Sequence, residues 1–233
     1  MNEKLASRTA EWPAGFAINP RPESIPAAVI AAYHDMPTAF VSDSLGRSVG
    51  GLGLRPYHGD AFMCGMAFTV LVRPGDNLMI HKAIELAAPG DVIVVDGGGD
   101  LTQALVGGNM RAQMLKRKLG GLVLNGALRD VAEWREGNMP AFALGCVHRG
   151  PSKEGPGQIN VPISCAGLVV NPGDLVLGDP DGVVAVRRDE MERLIPRLVA
   201  QVEKEKNIRA AISDGTADPE RFNAVLRKKG CPV

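Results

Sequence analysis

The sequence predicts an α/β fold, and three features carry that reading. PGDVIVVDGGGD (89–100) is a turn that launches an unbroken Val/Ile run and ends in three glycines, the pattern of a strand buried on both faces. NMRAQMLKRKLG (109–120), with a basic last turn and a terminal glycine, reads as a helix, and the apolar run GLVLNG (121–126) follows at once as a second buried strand. Strand, helix and strand in that order is the alternation of a parallel sheet covered by helices. The third feature is composition: 28 Gly and 17 Pro in 233 residues, with only 4% aromatics, punctuate short apolar runs and so predict many short elements joined by turns.

Element by element, Ala-rich stretches at 22–34 and 38–45 predict two helices, the second opening after Pro37 with Thr38 as its cap. GRSVGGLG (46–53) breaks the pattern. DAFMCGMAFTVLV (60–72) predicts one or two strands, and RPGDN (73–77) a turn that caps the helix LMIHKAIELA (78–87). After the strand–helix–strand unit, ALRDVAEWREG (127–137) reads as a short helix. AFALG (141–145), GLVV (167–170), DLVLGD (174–179) and GVVAV (182–186) read as strands, with a polar loop over 147–160. A last helix is expected from about Asp189 to about Ser213. Its apolar residues Met191, Leu194, Ile195, Leu198 and Val202 recur at three and four positions, one face that packs on the sheet or on another subunit. A chain of this length buries roughly 70% of its unfolded surface, and we read 1–233 as a single domain with an N-terminal extension (1–22) and a C-terminal tail (214–233).

Composition excludes several function classes. The 26 basic and 26 acidic residues cancel, so no long-range field draws in nucleic acid or an anionic membrane. No window approaches the ~18 apolar residues of a membrane span, and the first twenty residues lack a signal-peptide core. Cys64, Cys146, Cys165 and Cys231 form no C-x-x-C pair, which fits reduced thiols in a cytoplasm. No Ser-centred nucleophile elbow and no activated cysteine is visible.

Three constellations could carry chemistry. VVDGGGD invites a dinucleotide reading, but with Gly97 and Gly99 as the first two glycines the third would fall on Thr102, so a tight turn is expected there. HRGPSKEGPG (148–157) places His148, Arg149, Ser152 and Lys153 in a Gly/Pro frame that could gate an anionic substrate or merely connect two strands. The remaining constellation is Gly107, Gly108 and Asn109 at a helix start, followed across the next strand by Arg129, Asp130 and Glu133. Free amides at a helix start suit an anion, and the loops after parallel strands open on the same sheet edge, so Gly108 and Arg129 could face one cleft. Asp130 and Glu133 share a helix face, where a Mg²⁺ or Mn²⁺ ion between them and a solvated helix start both satisfy the spacing. Arg129 offers a fork for a substrate carboxylate.

The spaced pattern Gly108, twenty residues, Arg129-Asp130, two residues, Glu133 resembles the RraA-like family. GDVIVVDGGG before it and PGDLVLGDPDGVVAV after it are similar too, over about Thr38 to Ala200. That family includes metal-dependent 4-hydroxy-4-methyl-2-oxoglutarate / 4-carboxy-4-hydroxy-2-oxoadipate aldolases. The resemblance implies an α/β/α sandwich with a swivelling-domain-like β/β/α core, assembled as a homotrimer or homohexamer. It implies that Asp130, supported by Glu133, holds Mg²⁺ or Mn²⁺. It also implies that Arg129 and the backbone of Gly107, Gly108 and Asn109 bind a 2-oxo acid, with Arg129 and Asp130 as catalytic residues. The implied activity is C–C cleavage: oxaloacetate decarboxylation, retro-aldol release of pyruvate from a 4-hydroxy-2-oxo acid, or both. Dedicated aldolases of the family carry Asp, associated with an acid/base water, where this chain has Gly108, which favours decarboxylation. Other relatives bind ribonuclease E as regulators, and the intact Arg129-Asp130-x-x-Glu133 pattern favours the enzyme.

Overall fold

The computed structural model describes residues 12–233. Its elements run β1 (Ala17–Ile18), α1 (Ala27–Tyr33), α2 (Thr38–Ser44), β2 (Arg55–Pro56), β3 (Met63–Val72), α3 (Leu78–Leu86), β4 (Val92–Asp96), β5 (Ala104–Val106), α4 (Gly108–Lys116), β6 (Gly121–Leu128), α5 (Val131–Arg135), β7 (Ala141–Cys146), β8 (Gly157–Ile159), β9 (Ile163–Cys165), β10 (Leu168–Val170), β11 (Leu175–Asp179), β12 (Gly182–Val186), α6 (Met191–Ser213) and α7 (Glu220–Lys228).

The α/β alternation builds the centre of a mixed sheet ordered β1-β8-β3-β4-β6-β7-β2. The pairs β3–β4, β4–β6 and β6–β7 are parallel. Their connections, α3, α4 and α5, cover one face, where Phe68, Ile80, Ile93, Leu105, Met114, Leu122 and Trp134 form a core. Strands rather than helices cover the other face: Ile163 and Cys165 of β9 and Leu168 and Val170 of β10 pack on Val92, Val94, Val123 and Phe142. With both faces covered, β4 and β6 are apolar at nearly every position, which is why they were legible as unbroken runs.

The early part of β3 leaves the parallel set and pairs antiparallel with β11, which pairs with β12. A third core, Tyr33, Val41, Met66, Leu175, Val186, Met191, Leu194 and Leu198, sets α1, α2 and α6 against these strands. The apolar stripe of α6 is therefore partly consumed within the chain: Met191, Leu194 and Leu198 are buried, whereas Val202 is 39% exposed.

Several expectations are corrected. Ala127 and Leu128 belong to strand β6, not to a helix, because their backbones pair with β5 and β7. Thr38 does not cap its own helix; its N–H and hydroxyl both donate to the Asp179 carboxylate, at 2.8 and 2.7 Å. In the turn before α3 the cap is Asp76, whose Oδ1 accepts the Leu78 N–H at 3.0 Å, and Asn77 makes no side-chain cap. Part of the N-terminal extension joins the fold: β1 pairs with β8, and Arg21 forms a bidentate pair with buried Asp91 at 2.8 and 2.7 Å. Residues 1–11 of that extension lie outside the described residues. The tail contains a helix, α7, with no buried residue. Among the described residues no helix is long and apolar enough to cross a membrane, and the four cysteines are free thiols.

Candidate functional site

Two chain turns make the site, and strand pairing brings them together. β5 and β6 run parallel, Val106 opposite Leu128, so the chain leaving β5 at Gly107 and the chain leaving β6 at Arg129 emerge side by side at the same sheet edge. The Arg129 N–H donates to the Val106 carbonyl at 3.0 Å and closes the join. Beneath it, fully buried Trp134 donates its indole N–H to the Arg129 carbonyl at 3.0 Å, which anchors the turn from below.

Asp130 turns the chain through the left-handed region, φ 61° and ψ 42°, a conformation that Asp adopts at less cost than most side chains. The turn aims its carboxylate back at the start of α4: Oδ2 accepts the Gly108 N–H at 2.8 Å, a charge-assisted bond at the positive end of that helix. Arg129 Nε lies 3.6 Å from the same oxygen. Neither side chain is locked away, for they are 42% and 40% exposed, and the second oxygen of Asp130 makes no hydrogen bond among the described residues.

The two glycines leave room for these neighbours. A Cβ at Gly107 would lie 2.6 Å from Asp130 Oδ2 and 3.0 Å from Arg129 Nε. A Cβ at Gly108 would press on Glu133, 2.6 Å from its Cδ and Oε1. Both carboxylates thus converge on the bare start of α4, an all-oxygen set suited to a hard divalent ion rather than to zinc. Among the described residues no group of three or more His, Cys, Asp or Glu is gathered to hold a metal. An ion here would take two carboxylates at most from this chain and the rest of its shell from water or substrate, the habit of Mg²⁺ and Mn²⁺.

Gly107, Asn109, Arg129 and Asp130, but not Gly108, line one cavity of about 160 Å³, together with Asn77, His81, Met110, Pro151 and Lys153. A second, more open cavity of about 490 Å³ shares Arg129 and Asp130 and adds Cys146, Val147 and His148. The basic loop therefore divides its residues: Lys153 faces the first cavity and His148 the second, while Ser152 is structural, its hydroxyl donating to Asp76 at 2.7 Å. Gly98 and Gly99 adopt φ of 70° and 71° in a tight turn, as the interrupted glycine spacing suggested.

Asn77 and His81 were not among the residues singled out from the sequence. Their one available signal was a spacing of four residues at the start of a helix, which puts both on one face. His81 is held below the ordinary imidazole range, first by burial and then by the nearby Lys153 ammonium, with Glu85 opposing.

Comparison with known proteins agrees with this architecture. The family model described as RraA-like, Aldolase/RraA, matches residues 38–185. A protein of Halalkalibacterium halodurans named "Putative 4-hydroxy-4-methyl-2-oxoglutarate aldolase" is 36% identical over 186 residues, 79% of this chain and 89% of its own. An uncharacterised Pseudomonas syringae protein of known structure superposes with a TM-score of 0.74 at 27% identity, over 83% of this chain and 96% of that one. The RNA-processing inhibitor RraA of Thermus thermophilus superposes with a TM-score of 0.60 at 32% identity, covering 64% and 92%.

Proposed function

The chain belongs to the RraA-like family, and from that membership together with the shape of the cavity we propose that it is a divalent-metal-dependent C–C lyase acting on 2-oxo acids. The observation that supports this most is the placement of a guanidinium and a half-free carboxylate, Arg129 and Asp130, on one small cavity at a helix start. The aldolase name of the Halalkalibacterium relative points the same way.

In this reading Asp130 and Glu133 hold Mg²⁺ or Mn²⁺, which when bound supplies a Lewis acid for the carbonyl and carboxylate oxygens of the substrate. Arg129 pairs with the substrate carboxylate and faces the oxygen on which negative charge grows as the C–C bond breaks. Gly107 and Asn109 set the positive end of α4 against the same anion, while the Gly108 amide is given to Asp130. Lys153 adds a second cation on the loop side of the cavity. This arrangement serves any bond cleavage that leaves an enolate of pyruvate: decarboxylation of oxaloacetate, which needs no proton acceptor, and retro-aldol cleavage of a 4-hydroxy-2-oxo acid, which does.

The test is pyruvate release from oxaloacetate and from 4-hydroxy-2-oxo acids, with and without chelator. Turnover should disappear on chelation and return with Mg²⁺ or Mn²⁺. Turnover that persists without metal, or none on any of these acids, defeats the reading. The likeness to the Thermus RNA-processing inhibitor supports a second reading, a ribonuclease E-binding regulator without a catalytic role. A pull-down with ribonuclease E decides it, and absence of binding beside good turnover retires it.

A further inference from the structure

The proposed reaction leaves one wall of the cavity without a task. Asn77 and His81 stand one helical turn apart at the start of α3, the His81 backbone N–H donating to the Asn77 carbonyl at 3.2 Å, and both line the cavity that Arg129 and Asp130 line. Asn77 is 4% exposed; its Nδ2 donates to the Leu105 carbonyl at 2.9 Å, and among the described residues its Oδ1 has no hydrogen-bond partner. A buried acceptor without a partner is costly to keep, about 1–3 kcal/mol, and Asn77 stays beneath the wall on which His81 stands. Among the described residues no side-chain hydrogen bond ties the His81 ring, so its nitrogens are free to meet a ligand.

The catalytic turn itself offers no evident proton acceptor. Gly108 contributes no side chain, and Oδ2 of Asp130 is committed to the Gly108 amide. Glu133 and the other oxygen of Asp130 are, in the reading above, assigned to the metal. We propose that His81 accepts the proton of the substrate's 4-hydroxyl and so equips this chain for retro-aldol cleavage as well as decarboxylation. This rests on the lyase function proposed above and assigns the proton acceptor for one of its two substrate classes, the 4-hydroxy-2-oxo acids.

The step balances within the substrate and the ring. An imidazole nitrogen takes the hydroxyl proton, and the C4–O bond becomes a carbonyl. The C3–C4 bond breaks, and its electron pair moves into the C2 carbonyl to leave the enolate of pyruvate. The imidazolium then sheds its proton to water, and the enolate carbon takes one from water, which regenerates neutral His81. Burial and Lys153 keep the ring in the neutral, accepting form at neutral pH. Glu85 on the same helix opposes them, and Arg129 and Asp130 line the same cavity.

The deciding experiment compares the wild-type protein with His81→Gln, both with Mg²⁺, on oxaloacetate and on a 4-hydroxy-2-oxo acid. General base catalysis contributes about 10²- to 10⁴-fold, so the ratio of retro-aldol to decarboxylation turnover should fall by at least about 100-fold. The acid limb of the retro-aldol pH profile should vanish with it. His81→Asn serves as the second variant should Gln disturb the packing of α3. An unchanged ratio in a folded variant overturns the role of His81 while sparing the lyase; a wild-type protein that turns over neither acid overturns the lyase and this inference together.

Discussion

Two turns that follow strands of the same sheet carry an aspartate each, and they treat it in opposite ways. Asp76, in the turn after β3, is fully buried and accepts from the Ser152 hydroxyl at 2.7 Å, the Glu154 N–H at 2.7 Å, the Leu78 N–H at 3.0 Å and the Arg73 guanidinium at 3.4 Å. Asp130, in the turn after β6, is 40% exposed and accepts one backbone amide. The first carboxylate spends its acceptor sites inside the protein and fixes a loop; the second keeps acceptor capacity free. A charged group whose bonds are already filled has nothing to offer a ligand, so the difference separates a structural aspartate from one available for chemistry.

The comparison is sharpened by breaking each side of it. The largest effect belongs to the available pair: Arg129→Ala and Asp130→Asn should each lower turnover of a 2-oxo acid by about 10²- to 10³-fold, the usual loss on removing one electrostatic contact to developing charge. Both are half-exposed, so the denaturation midpoints should barely move, with shifts near the ~0.5 kcal/mol of ordinary surface changes. A variant that unfolds instead would place Arg129 among the structural groups.

Asp76→Ala should do the reverse. It strands the Ser152 hydroxyl and two backbone N–H groups, and a loss of about 3 kcal/mol is expected in urea or thermal denaturation. Burial pushes the Asp76 carboxyl up, but hydrogen bonds from Ser152, Glu154, Leu78 and Gly155 together outweigh it and hold the group below the usual carboxylate range. Its folded-state preference for the ionised form therefore stabilises the protein above the unfolded value near ~4 and is lost as pH falls below it. The deficit of the Ala variant should shrink in that acid window, and a deficit that stays constant there would contradict the assignment.

The smallest effect tests Glu133. Gly108→Ala should fold, because φ at Gly108 is not among the positive values and the crowding atoms are the far end of a flexible side chain. It should displace the Glu133 carboxylate and weaken activating metal by about 10-fold, the low end for a supporting ligand, seen as a higher Mg²⁺ concentration for half activation. An unchanged metal requirement would leave Glu133 without a part in the site.

Legibility followed burial on both faces. β4 and β6 could be read because nearly every position along them is apolar, and α4 because of its basic last turn; it ends at Lys116, before the expected Gly120, and Lys118 rather than a glycine takes the left-handed turn, φ 57°. The strand β9 and the helix α7 were not legible: β9 has three residues, and α7, within the tail, buries nothing. At the site, Arg129, Asp130 and Glu133 were found through a pattern along the chain. His81 and Asn77 escaped because their relevance comes from an element about fifty residues earlier folding over the same cavity.

From the residues alone came the α/β alternation, the parallel centre of the sheet and the acidic pair beside an arginine, since periodicity and short-range spacing are local and survive without coordinates. Only the tertiary structure decided which residues share a cavity, which aspartate is spent and which is free, and which side chains crowd positions 107 and 108. Those answers depend on contacts between turns some twenty to seventy residues apart, which the pairing of β5 with β6 and the packing of the Lys153 loop create.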